Sequence, residues 1–127
     1  MDIGTLGASK YLSLTTYRKD GTPVATPVWL VRDGDVLRVY TQADSGKAKR
    51  IRNNPAVMVA PCDARGRLKG DAAPGSATLL DAAGTAKTAT MIEKRYGLIG
   101  QFFLWRARRS ARKAGMSRDV GIQIRLT

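Results

Sequence analysis

Four cations, Lys47, Lys49, Arg50 and Arg52, fall directly after Ser45, and Asn53-Asn54-Pro55 follows them. Serine is a favoured helix cap and Asn-Asn-Pro a stop, so the spacing predicts a short helix over 45–53. Before it, Leu37 to Thr41 reads as a strand. A strand that ends in a capped cationic helix gathers unpaired backbone N–H groups and ammonium groups at one point. That chemistry suits an anion such as a phosphate, with Lys47 the leading cation. Only some of positions 47, 49, 50 and 52 can face inward from one helical turn. The other reading of the same residues is a solvated basic helix balanced by Asp44.

The elements that must position this junction are mostly strands. Residues 11–17, 23–32 and 35–42 alternate apolar and polar residues and are separated by turns at Lys19-Asp20-Gly21-Thr22 and Asp33-Gly34. Asp-Gly between such runs predicts a hairpin whose two central residues take positive φ. Together these runs predict a three-strand antiparallel meander. Pro23 and Pro27 lie in the middle run and cannot donate to a ladder, so that strand belongs at an edge, at a bulge, or where backbone is left to a ligand. Further strands are expected at Ala56–Asp63, within 67–81 and at 119–127. Thr85–Arg95 reads as a helix with Met91, Ile92 and Tyr96 on one face, and residues 98–113 as a second helix that Gly115 stops. The sum is a single α+β, mainly β domain over 1–127, an antiparallel six-stranded barrel with flanking helices.

Composition narrows the chemistry. The 127-residue chain has no histidine and one cysteine, so neither a Ser-His-Asp nor a Cys-His arrangement can form, nor a disulfide or Cys/His zinc site within one chain. Cys62, beside an apolar run, reads as a packed thiol. Catalysis without histidine or paired carboxylates points to a bound cofactor that carries the reaction. Net charge is +12, and residues 64–127 carry thirteen Lys/Arg against four Asp/Glu. Such a surplus attracts anions: nucleic acid, acidic lipid or a polyanionic small molecule. Aromatic residues make up only 6% and do not interleave with cations on one strand, which disfavours a nucleic-acid platform. No apolar run is long enough for a membrane span and Met1–Gly4 does not resemble a signal peptide, so a cytoplasmic protein is expected.

Thr22-Pro-Val-Ala-Thr-Pro-Val-Trp29, Val39-Tyr-Thr41, Ser45-Gly-Lys47 and Asn54-Pro-Ala-Val57, in that order, resemble the split β-barrel flavoproteins of the pyridoxamine 5′-phosphate oxidase superfamily. The resemblance runs over nearly the whole chain from Tyr11, and each motif alone is only moderately specific. It implies that Tyr40, Thr41, Ser45 and Lys47 hold a cofactor phosphate. The oxidases carry an arginine where this chain has Gly46, and a longer C-terminal segment with substrate-binding Arg and His. These departures argue against pyridoxamine phosphate as substrate.

Tyr17–Trp29, Lys47–Pro55 and the arginine-rich segment before the last strand are similar to the short actinobacterial branch of F420-dependent oxidoreductases. That likeness implies a homodimer with coenzyme F420 in a shared groove, and hydride transfer to a small-molecule acceptor with an activated conjugated double bond. It places Thr26, Pro27, Val28 and Trp29 along the deazaflavin ring, and Lys49 and Arg50 near the phosphate or the acidic tail. Trp29 is either a pocket wall or a core residue. Phe102–Lys113 is a packed helix with arginines in water, a cover over the tail, or a polyanion- or membrane-surface helix. FMN is the alternative cofactor, and a non-catalytic F420 carrier or a basic nucleic-acid-binding barrel the alternative of another class. Tyr11, Tyr17 and Tyr96 are candidate proton donors or packed side chains.

Overall fold

The computed structural model describes residues 2–113 and 119–127, with side chains of 98–113 left out. Its strands are β1 (Tyr11–Tyr17), β2 (Pro23–Val28), β3 (Leu30–Asp33), β4 (Val36–Gln42), β5 (Ala56–Cys62), β6 (Ala73–Leu79) and β7 (Asp119–Leu126). The helices are α1 (Ile3–Ala8), α2 (Gly46–Asn53) and α3 (Ala82–Lys113). All strands pair antiparallel in one sheet of order β2-β1-β5-β6-β7-β4-β3.

The count is seven strands where the sequence reading expected six, and the reason is local. The run expected as one strand over 23–32 breaks at Trp29. Its first half pairs with β1 (Leu12 opposite Val28) and its second with β4 (Leu30 opposite Val39). Since β2 and β3 lie at opposite edges of the sheet, one residue carries the chain from one edge to the other. The two edges must therefore meet at Trp29, and the sheet curls into a barrel closed at that corner. The expected meander is corrected accordingly: β2 and β3 form one hairpin each, with different neighbours. As Pro23 and Pro27 required, β2 is an edge strand.

The hairpin turns also differ in detail. Asp33 pairs with Val36, so Gly34 and Asp35 are the central residues of the turn. Gly34 has φ 62°, and no residue other than glycine has positive φ among the described residues. The turn thus needs glycine at its first central position only, the requirement of a II′ rather than a I′ turn.

Alternation sorts the side chains. Leu12, Leu14, Leu37, Val39, Val57, Val59, Ile122 and Ile124 fill the barrel. Leu6 of α1 and Ile51 of α2 join the same core. The sequence reading did not foresee α1, whose Gly4 and Gly7 make it a weak helix by propensity; Asp2 caps it by accepting from the Thr5 N–H at 2.7 Å.

Strand β4 is buried on both faces because α3 covers the outside of the barrel. There Ala89 and Ile92 pack with Trp29, Val31, Tyr40 and Tyr96 in a second cluster. Gly121 lets α3 close on β7, since a Cβ there would stand 2.9 Å from Thr88 Oγ1 and 3.2 Å from Thr85 Cα. Helix α3 is interrupted at Gly97 (φ 62°, ψ −141°), between the two helices expected from sequence. The apolar and arginine side chains of 98–113, and Gly115, lie outside the described residues. Among the described residues no helix is long and apolar enough to cross a membrane.

Two side chains from the end of the first half of α3 hold the crossover. Arg95 donates to Leu30 O (2.6 Å) and Ser9 O (2.8 Å). The Tyr96 hydroxyl accepts from Leu30 N–H at 3.2 Å and lies within donor reach of Lys10 O (2.8 Å) and Leu30 O (3.0 Å). Its ring stacks on Trp29 with centroids 4.4 Å apart and an interplanar angle of 7°. Burial pushes the Tyr96 hydroxyl pKa up. Replacing Tyr96 by Phe leaves Leu30 N–H without this acceptor and is expected to cost about 1–3 kcal/mol. Urea unfolding of the Y96F variant measures this; an unchanged midpoint would show that the hydroxyl does not hold the crossover.

Candidate functional site

Along β4 the chain runs from Tyr40, beside the crossover, through Thr41 and Gln42 to the turn that carries Ser45. Ser45 N–H closes that turn on Gln42 O at 3.0 Å. Ser45 then caps α2: its Oγ accepts from Ala48 N–H (3.3 Å) and lies 3.4 Å from the donating Thr41 hydroxyl. Gly46 and Lys47, the first residues of the helix, have no intrahelical acceptor for their N–H groups. On the far side, register sets Asp119 of β7 opposite Gln42.

A cavity of about 510 Å³ opens here, lined by the side of the crossover (Pro27, Val28, Trp29), by Tyr40 to Gln42, and by Ser45 and Lys47. Tyr11, Ala64, Ile92 and Asp119 complete it. Its size is ordinary for a small-molecule site. One end is cationic and hydroxyl-rich, the other aromatic and apolar.

Lys47 decides the electrostatics. Burial, and then the neighbouring Arg50 guanidinium, lowers its ammonium pKa below the usual lysine value. No carboxylate lies in ion-pair range of Lys47 among the described residues. A half-buried cation without a protein counter-charge, next to a second cation, favours an anion in the cavity. The donor set fits a phosphate: two N–H groups at a helix start, two hydroxyls and an ammonium.

Arg50 acts from behind. Its Nε donates to the fully buried Thr16 hydroxyl at 2.6 Å, and its guanidinium folds back over Gly46. A Cβ at position 46 would stand 2.7 Å from Arg50 Nη1, so glycine leaves the room that the guanidinium occupies.

Of the ten residues singled out from sequence, Pro27, Val28, Trp29, Tyr40, Thr41, Ser45 and Lys47 line this one cavity. Thr26, Lys49 and Arg50 do not. Thr26 shares the face of β2 that Val28 occupies but lies outside the cavity lining, and its buried Oγ1 has no hydrogen-bond partner among the described residues. Lys49 is exposed and Arg50 is pinned to Thr16. Trp29 is both pocket wall and packed residue. Tyr11 reaches the cavity, whereas Tyr17 does not and the Tyr96 hydroxyl is committed to backbone. Cys62 is buried, which pushes its thiol pKa up, away from nucleophilic chemistry. Asp119 was not foreseen: it takes the Tyr40 hydroxyl at 2.5 Å across 79 residues of sequence.

A curled antiparallel sheet closed by a strand that changes edges, with flanking helices and a cavity cationic at one end, defines a split β-barrel. The family described as pyridoxamine 5′-phosphate oxidase matches residues 5–118, and the chain belongs to it. Proteins of this fold bind flavin-type cofactors. An F420 reductase is 22% identical with a TM-score of 0.59, over 99% of this chain and 93% of that one. The conserved hypothetical protein Rv2991 of Mycobacterium tuberculosis is 20% identical (TM-score 0.68; 99% and 84% covered). HutZ, the heme storage protein of Vibrio cholerae, is 14% identical (TM-score 0.67; 94% and 83% covered). At these identities the likenesses show the fold. No curated protein matches the sequence.

Lys47 gives a prediction with a definite sign. In the unfolded chain it holds its proton with ordinary affinity and in the fold with less. Below the lowered pKa its charge therefore costs stability, and the cost fades as pH rises toward the ordinary lysine value. Replacing Lys47 by Met should raise the melting temperature of the ligand-free protein at neutral pH, with a smaller gain at alkaline pH. Calorimetry at several pH values checks this; a lower melting temperature would mean that Lys47 has a stabilising partner.

Proposed function

We propose that this protein is an F420-dependent oxidoreductase that reduces an organic acceptor, with an activated conjugated double bond as the acceptor class. The observation that carries the reading is Lys47: a half-buried cation at a helix start, with no carboxylate in ion-pair range among the described residues, at one end of a cavity whose other end is a strand crossover lined by Trp29. The F420 reductase among proteins of the same fold supports it.

Gly46 and Lys47 N–H, the Lys47 ammonium, and the Thr41 and Ser45 hydroxyls would hold the phosphate. Pro27, Val28 and Trp29 would flank the ring. Among the described residues strand β2 pairs on one side only, and its other edge would offer backbone groups to the ring's polar rim. Arg50 adds positive potential behind Lys47, and Lys49 on the exposed face is available to an acidic tail. A bound deazaflavin coenzyme would supply the hydride chemistry at its C5. The protein's part would be to bind, orient and keep water away, and Tyr11, which lines the cavity, would pass the accompanying proton. The proposal includes a homodimer with the cofactor in a groove shared by both subunits, and a cytoplasmic setting.

Fluorescence titration of the purified protein with oxidised F420 and with FMN tests this. Micromolar F420 binding, weak FMN binding and at least a tenfold loss of affinity in Lys47→Ala are expected. Tight FMN binding without F420 binding would make this a flavoprotein, and binding of neither would overturn the oxidoreductase reading.

A further inference from the structure

The connection from β5 to β6 carries part of the cavity wall, and one side chain holds that connection in shape. Asp63 Oδ1 accepts from the N–H groups of Arg65 and Arg67, both at 2.9 Å, and its Oδ2 accepts from Arg67 Nε at 3.0 Å. Asp suits this place, because its side chain readily bonds backbone two residues on. Backbone bonds close the same turn: Asp63 N–H donates to Arg67 O and Gly66 N–H to Asp63 O, each at 3.0 Å. Gly66 supplies the positive φ of 86°. A Cβ there would lie 3.8 Å from Pro27 Cδ, so the turn that leaves β5 reaches past β1 to β2. Within it Ala64 is exposed and lines the cavity, so an occupant can touch its methyl group.

The cavity has two sides. Strand β4 and helix α2 bring Tyr40, Thr41, Ser45 and Lys47, whereas β1 and the β5–β6 turn bring Tyr11 and Ala64. In the sheet, β6 and β7 separate β1 and β5 from β4. A ligand held by its phosphate at Lys47 with its ring at Trp29 takes the first side. Tyr11, the group proposed to pass the proton, stands on the second, where register sets it opposite Cys62, two residues before Ala64. An acceptor that meets both the ring and Tyr11 therefore lies against Ala64. Alanine leaves width there that a larger side chain would take.

We propose, resting on the oxidoreductase reading above, that Ala64 is a specificity-determining residue that sets the width of the acceptor's place and admits a flat conjugated ring. Asp63 is the positioning residue, because its carboxylate fixes the turn that presents Ala64.

Equilibrium binding tests this without turnover. Wild type, Ala64→Gly, Ala64→Phe, Asp63→Asn and Asp63→Ala are titrated with oxidised F420. The F420-loaded proteins are then titrated with cyclohexenone, a single ring, and naphthoquinone, two fused rings. Oxidised F420 has no hydride to give, so the readout is binding alone; circular dichroism melts confirm that each variant is folded. Ala64→Phe should weaken naphthoquinone at least about tenfold, the scale of overpacking a fitted site, and cyclohexenone less, while F420 binds as in wild type. Ala64→Gly should keep both acceptors. Asp63→Ala should weaken both acceptors without changing F420 affinity, and Asp63→Asn, which keeps an oxygen for the two N–H groups, should restore them. If the Asp63 variants do not fold, the Ala64 pair carries the test.

Equal naphthoquinone affinity in wild type and Ala64→Phe would overturn the role of Ala64 and leave the F420 reading standing. A loss of F420 in Ala64→Phe would also overturn it, since Ala64 would then border the coenzyme. So would F420-loaded wild type that binds neither acceptor. If wild type takes FMN and not F420, the F420 assignment fails and the same titrations of the FMN-loaded protein decide on Ala64. Binding of neither cofactor by wild type would overturn both readings.

Discussion

The site exists because one residue carries the chain between the two edges of the sheet. Trp29 separates two strands that pair with different neighbours, and no ladder can satisfy the backbone on both sides of such a step. Backbone polar groups withdrawn from water need partners. Here Arg95 and Tyr96 of α3 provide them, at Ser9, Lys10 and both polar atoms of Leu30. The same contact stacks Tyr96 on Trp29 and so fixes one wall of the cavity. Closure of the barrel, docking of α3 and shape of the pocket are consequences of one strand crossing.

At the other end of the cavity the fold accepts a cost. Lys47 is partly withdrawn from water beside Arg50, with no carboxylate in ion-pair range among the described residues. Arg50 is itself fixed by the buried Thr16 hydroxyl and by the room above Gly46. A protein selected for stability alone has no reason to build this, since binding sites are where local destabilisation is tolerated. The carboxylate nearest in register, Asp119, is turned to Tyr40 instead of neutralising Lys47.

Local signals made much of this legible. Alternation marked most strands, the prolines of β2 marked an edge, and Ser45 with Asn53-Asn54-Pro55 marked the limits of α2. The spacing argument that only some of the α2 cations face inward holds: Lys47 and Arg50 are half-buried, Lys49 and Arg52 exposed. What failed to show was non-local. A strand that changes edges has the same alternation as one that does not, so the break at Trp29 left no trace. Asp119 gains its role from pairing with β4 and from a tyrosine 79 residues away. Helix α1 rests on burying Leu6 and on the Asp2 cap, and its two glycines hide it from propensity. Gly46 reads as the lack of a side chain, whereas the structure shows a space filled by Arg50 from the next turn.

Lys47, half-buried beside Arg50, is the residue proposed to take the phosphate. NMR titration of the Lys47 ammonium, with and without F420, tests it most directly. The expected result is a pKa below the ordinary lysine value in the free protein, because burial and Arg50 disfavour the charge, and a rise on binding, because the phosphate restores it. Binding should accordingly weaken as pH climbs through the lowered value. An ordinary lysine pKa that F420 leaves unmoved would contradict the account.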